Sequence, residues 1–470
     1  MCLANRSLIT IDNLSNGEME ALFSVADKMS ESIGEQSRAC QGKIMASLFF
    51  EPSTRTRLSF ETAMHRLGGN VISAVDVRET SLAKGESIAD MARVVGDYAD
   101  IIVIRHPWEG AAQVVADYAG IPVINAGDGG HQHPTQTLCD LYTLQKERHT
   151  IKGLKIALWG DLKFGRTIHS LIFALAKFGA TILFCPSPGL EVPEHILDKL
   201  STEYGGEVER RKTLDYSTKS NRFPLNAIYI TPGSPHQLAM MPDINIDVEL
   251  KAGVDALYVT RPQKERFTNT ETEQEPNQYP VVDKKLLNNK PFRKALVMHP
   301  LPRIDELAYE LDADPRSMYF KQAAQGVPVR MALVALLLGV NKISIPAEDI
   351  SYPPVDYPDY KQNFGVSCPN PRCVSTQVTE KKYIQPKFKI VSRKPLTLRC
   401  MYCEHGFEPR YVASSNWHDG RLDSKKYHSA DSHWTGKIKL ENLIIFDSEG
   451  EAEAHGFKPS NYKGGTSTKQ

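Results

Sequence analysis

The strongest constraint on the fold is a series of short apolar runs, several of them followed directly by a polar or cationic cluster. Residues 43–50, 101–104, 155–159, 181–184, 256–259 and 295–298 are such runs. Short, continuous apolar runs suit strands buried on both faces. Longer helical patterns separate them, which predicts an α/β architecture with parallel sheets. Ligands of such folds sit outside the carboxyl ends of the strands. The clusters that follow the runs are therefore where chemistry is expected.

The 470 residues allow about three domains at roughly 100–200 residues each. Lys+Arg and Asp+Glu each number 56, so the formal net charge is zero. That argues against a broadly basic nucleic-acid or membrane-surface binder. The longest run without a polar residue spans 331–340, far short of the roughly 20 residues of a spanning helix. The first twenty residues contain early acids and no long apolar core, so no secretory signal is read and a cytoplasmic protein is expected. In that setting the eight cysteines are expected as thiols or metal ligands rather than disulfides.

Residues 1–150 and 151–303 read as two doubly wound parallel-sheet halves, divided near the charged stretch 145–153. A helix within about 304–340 is expected to complete the first half, and an insertion is expected near 210–247 of the second. Residues 341–365 carry Pro346, Pro353, Pro354 and Pro358 and read as a linker. A small β-rich, cysteine-bearing domain follows over 366–412. Residues 413–470, with Trp417 and Trp434, are an extension without an assigned role, and its Gly-, Ser-, Thr- and Lys-rich tail is expected to be disordered.

After the first run comes Glu51-Pro52-Ser53-Thr54-Arg55-Thr56. A strand, a hydroxyl- and arginine-rich turn and then a helix make a natural anion site. The helix N-terminus offers unpaired N–H groups and a favourable dipole, and Arg55 supplies a charge-assisted fork. An ordinary helix cap beside a solvated arginine fits the same residues.

Ser53-Thr54-Arg55-Thr56 resembles the carbamoyl-phosphate motif of the aspartate and ornithine carbamoyltransferases. His133-Pro134-Thr135-Gln136, after Asn125-Ala126-Gly127-Asp128-Gly129, resembles the second such motif, Arg105 stands where the family places a further arginine, and 81–86 resembles the loop lent to a neighbouring subunit. Three further motifs resemble the aspartate branch: 161–169 with Arg166, 260–266 with Arg261 and Gln263, and His299-Pro300-Leu301-Pro302-Arg303. The ornithine branch carries a cysteine where Pro300 stands and a Ser-Met-Gly loop absent from this sequence.

The resemblance implies transfer of the carbamoyl group of carbamoyl phosphate to L-aspartate, the committed step of de novo pyrimidine biosynthesis. No catalytic cofactor is expected. It implies that Ser53, Thr54, Arg55 and Thr56 hold the phosphate, and that Thr56, Arg105 and His133 polarise the carbonyl oxygen. Gln136 and the carbonyls of Leu301 and Pro302 orient the carbamoyl NH2. Arg166 takes the α-carboxylate, and Arg261 with Gln263 takes the side-chain carboxylate. Ser81 and Lys84 arrive from the next subunit of a homotrimer, and Glu51 orients an active-site arginine. A transcarbamoylase for another amine and a non-catalytic scaffold are the competing readings.

Cys368 and Cys373 form C-x4-C, and Cys400 and Cys403 form C-x2-C, with 26 residues between the pairs. A complete four-thiolate set suits a closed, structural zinc site; a redox pair is the alternative. The segment resembles the zinc domain of the aspartate carbamoyltransferase regulatory chain, which implies docking onto the catalytic part and a route to higher assembly. A nucleic-acid zinc ribbon is the rival, served by Lys381, Lys382, Lys387, Lys389, Arg393 and Lys394, which fit solvated strand faces better. No regulatory nucleotide-binding domain fits between the catalytic block and Cys368, so feedback of that kind is not expected.

Overall fold

The computed structural model describes residues 3–31, 34, 37–75, 84–148, 150–205, 209–210, 225–231, 253–261, 281–341, 352, 355–362, 365–416 and 425–460. Ser81, Gln263, Trp417, the tail from 461 and most of the expected insertion lie outside them.

The first sheet has the order β2-β1-β3-β4, all parallel. Its strands are β1 (Ile44–Phe49), β2 (Asn70–Val75), β3 (Ile101–His106) and β4 (Val123–Asp128). Every residue of β3 and β4 is buried, including the polar Arg105, His106, Asn125 and Asp128 at their carboxyl ends. Around this sheet lie α1 (Asn16–Glu31), α2 (Thr54–Arg66), α3 (Ile88–Tyr98), α4 (Ala111–Ala119) and α5 (Pro134–Arg148). The chain leaves β1 towards β2 on one side and later returns to β3 on the other. The crevice at the carboxyl ends of β1 and β3 is thus a topological switch point, where α/β folds bind ligands.

The second sheet has the order β10-β9-β8-β5-β6-β7, again parallel. It comprises β5 (Lys155–Gly160), β6 (Thr181–Pro186), β7 (Glu209–Arg210), β8 (Ala227–Thr231), β9 (Ala256–Val259) and β10 (Leu296–Met298). Helices α6 (Arg166–Lys177) and α7 (Glu194–Tyr204) belong to this half. Its switch point lies between β5 and β8. A closing helix, Tyr319–Leu337, then packs on α1, α2 and α5, returning the chain to the first half as expected. Most of the apolar run 331–340 is therefore core: residues Met331 to Leu337 are at most 1% exposed, and the run emerges at Val340.

The cysteine region forms an antiparallel sheet, β11 (Phe388–Arg393), β12 (Leu396–Cys400) and β13 (Gly406–Phe407). A second sheet, ordered β16-β14-β15-β17, gives structure to the C-terminal extension. It is built from β14 (Tyr411–Ser414), β15 (Lys426–Ser429), β16 (Leu443–Phe446) and β17 (Lys458–Pro459). Tyr360 joins the two sheets, its hydroxyl accepting from Ile445 N at 2.9 Å while its backbone N–H donates to Phe388 O at 2.8 Å.

The cysteine region sits directly on the first half. Glu109 N donates to Arg372 O, and Val374 N donates to Glu109 O, both at 2.9 Å. Asn370 Nδ2 donates to Glu109 Oε2 at 2.6 Å, and Glu380 accepts from Ile88 N at 3.1 Å. Gly110, at φ +84°, lies against Tyr402 so closely that a Cβ there would overlap it. Cys368, Cys373, Cys400 and Cys403 share one buried apolar cluster with Ala111, Val114 and Val115 of α4. Among the described residues no helix is long and apolar enough to cross a membrane.

Candidate active site and metal centre

The two switch points meet, and the site is built from the turns at their strand ends. After β1, Ser53 is the N-cap of α2, with a side chain that makes no capping hydrogen bond. Thr54, Arg55 and Thr56 form the first helical turn, whose N–H groups have no intrahelical partner. Thr56 is buried, whereas Thr54 and Arg55 are exposed towards the crevice mouth. Arg55 is held below its ordinary pKa by burial first and by the neighbouring Arg261 charge second. Arg261, two residues beyond β9, therefore faces the first half. Two cations placed this close repel each other, and a polyanionic ligand would relieve that repulsion.

After β5, Asp161 Oδ1 accepts from the backbone of Lys163 and Phe164, both at 3.1 Å. This turn starts α6 with Arg166 as its first residue. Arg166 reaches across to the first half and grips Glu51 with both terminal nitrogens, at 2.8 and 3.0 Å. It also donates to Gly129 O at 2.8 Å. Arg105, at the end of β3, donates to the same carboxylate at 3.2 Å and to Ala126 O at 3.2 Å. Glu51 thus bridges Arg105 and Arg166.

Gly127 lies inside this cluster at φ +115°, a conformation that favours glycine. A Cβ there would come 2.9 Å from Arg105 Nη1 and 3.5 Å from His133 Cδ2, with Arg166 Cζ at 3.6 Å. His133 N donates to Ser170 Oγ at 2.8 Å, a bond from α6 that joins the halves. Its Nδ1 lies 3.3 Å from Thr135 Oγ1. Burial and then the charges of Arg105, Arg166 and Arg330 hold the imidazole well below its ordinary pKa, so it is neutral. With the threonine hydroxyl donating to Nδ1, the ring proton sits on Nε2, a tautomer assigned from this network.

Gln136 lies one turn into α5, its Nε2 donating to Asp140 Oδ1 at 2.8 Å. Leu301 and Pro302 follow β10, joined by a cis peptide, with Leu301 at φ +53°. His299 holds this turn: its Nδ1 accepts from Leu301 N at 2.8 Å, and its Nε2 lies 2.8 Å from Glu306. Lys84 is exposed on the rim segment before α3. Sequence reasoning missed Asp140, Ser170, Glu306, Gln322 and Arg330. Asp140 could have been found, since it lies one helical turn from Gln136.

The four cysteine sulfurs lie within 4.8 Å of one another. Cys368–Cys403 and Cys373–Cys400 are separated by 3.6 and 3.8 Å. Those separations far exceed the roughly 2.05 Å of a disulfide. They match the edge of a tetrahedron with metal–sulfur bonds of about 2.3 Å. All four thiols are buried, so the donor set fits a closed metal site. Glu404, next to Cys403, reaches the catalytic halves: its carboxylate takes Gln132 Nε2 at 2.6 Å, His131 Nε2 at 3.1 Å and Lys199 Nζ at 2.7 Å. A cavity of about 380 Å³ opens beside these contacts, lined among others by Lys163, Phe164, His195 and His405, and contains none of the four site arginines.

Comparison with known families agrees with this layout. Residues 6–146 match the aspartate/ornithine carbamoyltransferase carbamoyl-P binding domain, and 235–337 match its Asp/Orn binding domain. Residues 362–413 match the aspartate carbamoyltransferase regulatory chain metal binding domain. The aspartate carbamoyltransferase catalytic subunit of Thermoplasma acidophilum is 44% identical over 339 residues, covering 72% of this chain and 99% of that protein. The Methanopyrus kandleri catalytic subunit is also 44% identical, over 72% and 98%. Among solved structures, the catalytic subunit of M. jannaschii aspartate transcarbamoylase superposes with a TM-score of 0.57 at 41% identity, covering 72% of this chain and 99% of that one. Aspartate transcarbamoylase from Trypanosoma cruzi, in complex with N-(phosphonacetyl)-L-aspartic acid, gives 0.57 at 34% identity over 72% and 96%. The chain therefore belongs to the aspartate carbamoyltransferase family, and it joins the family's two catalytic domains to a metal-binding domain of the regulatory-chain type.

Proposed function

We propose that the chain transfers the carbamoyl group of carbamoyl phosphate to the α-amine of L-aspartate, releasing phosphate. The observation that carries this reading is the cluster of Arg105, Arg166 and neutral His133 around Gly127 and Glu51, with Arg55 facing Arg261 at the neighbouring strand ends. A dianionic phosphate and a dicarboxylate acceptor suit that field, whereas a cationic acceptor such as ornithine would be repelled.

The aspartate nitrogen attacks the carbonyl carbon and a tetrahedral intermediate forms. The carbon–oxygen bond to phosphate then breaks, and the amine proton leaves with phosphate or solvent. The protein contributes positioning and charge stabilisation. Ser53, Thr54, Arg55 and Thr56 hold the phosphate at the α2 N-terminus. Thr56, Arg105 and the Nε2–H of His133 donate to the developing oxyanion. Gln136 Oε1 and the carbonyls of Leu301 and Pro302 accept from the NH2. Arg166 takes the α-carboxylate, and Arg261 with Gln263 takes the other. Glu51 fixes Arg105 and Arg166 so that both donate in a set direction.

Ser81 and Lys84 act on a neighbour's site, which makes a homotrimer the working unit. The metal held by Cys368, Cys373, Cys400 and Cys403 is zinc, with a structural role, since four thiolates leave no open position for substrate. The setting is the cytoplasm, and nucleotides such as ATP or CTP leave aspartate saturation unchanged. The test is formation of N-carbamoyl-L-aspartate and phosphate with L-aspartate and L-ornithine supplied in parallel. Turnover with aspartate alone is expected; turnover with ornithine, or with neither, would overturn the assignment.

A further inference from the structure

One carboxylate outside the expected constellation touches Gln136 and the strand before Arg261 directly, and reaches the Leu301–Pro302 turn through one glutamine. Asp140, on α5, is 1% exposed. Its Oδ1 accepts from Gln136 Nε2 at 2.8 Å and from Gln322 Nε2 at 2.8 Å. Its Oδ2 accepts from the Tyr258 hydroxyl at 3.0 Å. Gln322, on the closing helix, passes the constraint on: its Oε1 accepts from His299 N at 3.0 Å, at the start of the turn holding Leu301 and Pro302. Tyr258 lies on β9, three residues before Arg261, and stacks on Tyr229 at 4.2 Å.

An ionised carboxylate accepts hydrogen bonds and donates none. Facing Asp140, the Gln136 amide is therefore compelled to turn its NH2 inwards. Its Oε1 then points away from Asp140 as an acceptor. We propose that Asp140 is the positioning residue that sets the polarity of Gln136, and so makes the site select a donor group bearing NH2 over an isostere bearing CH3. Burial raises the Asp140 pKa to about 7 against the lowering effect of Gln136, Gln322 and Tyr258. Measurements above neutral pH therefore see the carboxylate.

This inference rests on the reading that Gln136 Oε1 receives the carbamoyl NH2, and the experiment separates the two. The probes are phosphonoacetamide and acetonylphosphonate, unreactive ligands that differ in NH2 against CH3. Their dissociation constants are measured by calorimetry on the full-length protein and on three variants. Asp140→Asn keeps the shape but lets the Gln136 amide sit either way, because asparagine both donates and accepts. The NH2-over-CH3 preference is expected to fall about tenfold to a hundredfold, the effect of one buried polar group losing its partner. Gln136→Leu is expected to lower the same preference at least as far, the carbonyls of Leu301 and Pro302 keeping the remainder. Tyr258→Phe, which removes the donor to the other oxygen and a 3.3 Å acceptor of Gln322 but leaves the bond to Gln136, is expected to leave it intact.

An unchanged preference in Asp140→Asn beside a collapsed one in Gln136→Leu would overturn the role of Asp140. An equal loss of both ligands in Asp140→Asn would show a merely structural residue and overturn it as well. A preference undiminished in Gln136→Leu would overturn the reading of Gln136 on which this inference depends.

Discussion

Removing the Glu51 carboxylate is the most informative single perturbation of this site. Its oxygens take both terminal nitrogens of Arg166 at 2.8 and 3.0 Å and Nη2 of Arg105 at 3.2 Å. The side chains of Arg105 and Arg166 are only 9% and 13% exposed, while that of Glu51 is 29% exposed. Breaking a fully buried pair by deleting one partner costs about 3–5 kcal/mol. Solvent reaches this carboxylate, so the expected loss is smaller, about 2–3 kcal/mol. At about 1.4 kcal/mol per tenfold, Glu51→Ala should lower kcat/KM for aspartate roughly 30- to 150-fold. Glu51→Gln keeps one acceptor and should recover part of the loss. The assay is steady-state carbamoyl aspartate formation at saturating carbamoyl phosphate, with aspartate varied. The bridge closes across the two halves, so the KM for aspartate should rise together with a fall in kcat. A Glu51→Ala enzyme with unchanged kcat/KM would refute the argument that this carboxylate fixes the two arginines.

Three further outcomes are expected. In the proposed mechanism Thr56 and His133 each donate to the oxyanion, so Thr56→Ala and His133→Ala should each lower kcat at least about 10²–10³-fold; near-normal kcat in either would remove that residue from the mechanism. Stripping the metal with a chelator should unfold the small cysteine domain, whose core depends on it, and exposed thiols counted with a chromogenic reagent should rise by four; thiols that stay protected would argue against a metal site. His106 is buried with Nδ1 accepting from Trp108 N at 3.0 Å, and burial lowers its pKa to about 4, opposed by Asp128 and Glu51. Its folded pKa lies below the unfolded value, so the stability is present above about pH 6.5 and is lost as pH falls towards about 4, by roughly 3 kcal/mol. In His106→Asn, whose side-chain oxygen accepts the same N–H, the acid fall of the urea midpoint should flatten; a fall identical to that of the parent chain would contradict this.

The strand ends were legible because each buried run is continuous and its polar cluster follows at once. Ser53 to Thr56 and His133 to Gln136 lie in sequence as they lie in space, at helix N-termini. The Glu51–Arg166 bridge spans 115 positions, so only the facing of two switch points brings it together. Gln322 resembles any polar residue of an amphipathic helix until the closing helix lies beside α5. The sheet of the C-terminal extension was not legible for a different reason. Its strands are two to four residues long and partly exposed, as Lys458–Pro459 shows, which leaves too little periodicity to read. Glu404 was hidden as one acid after a metal-ligand motif, although it joins the cysteine domain to His131, Gln132 and Lys199.

The central claim is that one crevice, at the meeting of the two switch points, holds both substrates. A crystal structure with a bisubstrate analogue, a phosphonate joined to aspartate, tests it most directly. The phosphonate should lie on the N–H groups of the α2 first turn with Arg55, the amide oxygen should lie within hydrogen-bond reach of Thr56, Arg105 and His133, and the carboxylates should meet Arg166 and Arg261. An analogue seated elsewhere, such as the cavity beside Glu404, or bound without engaging these arginines, would contradict the account.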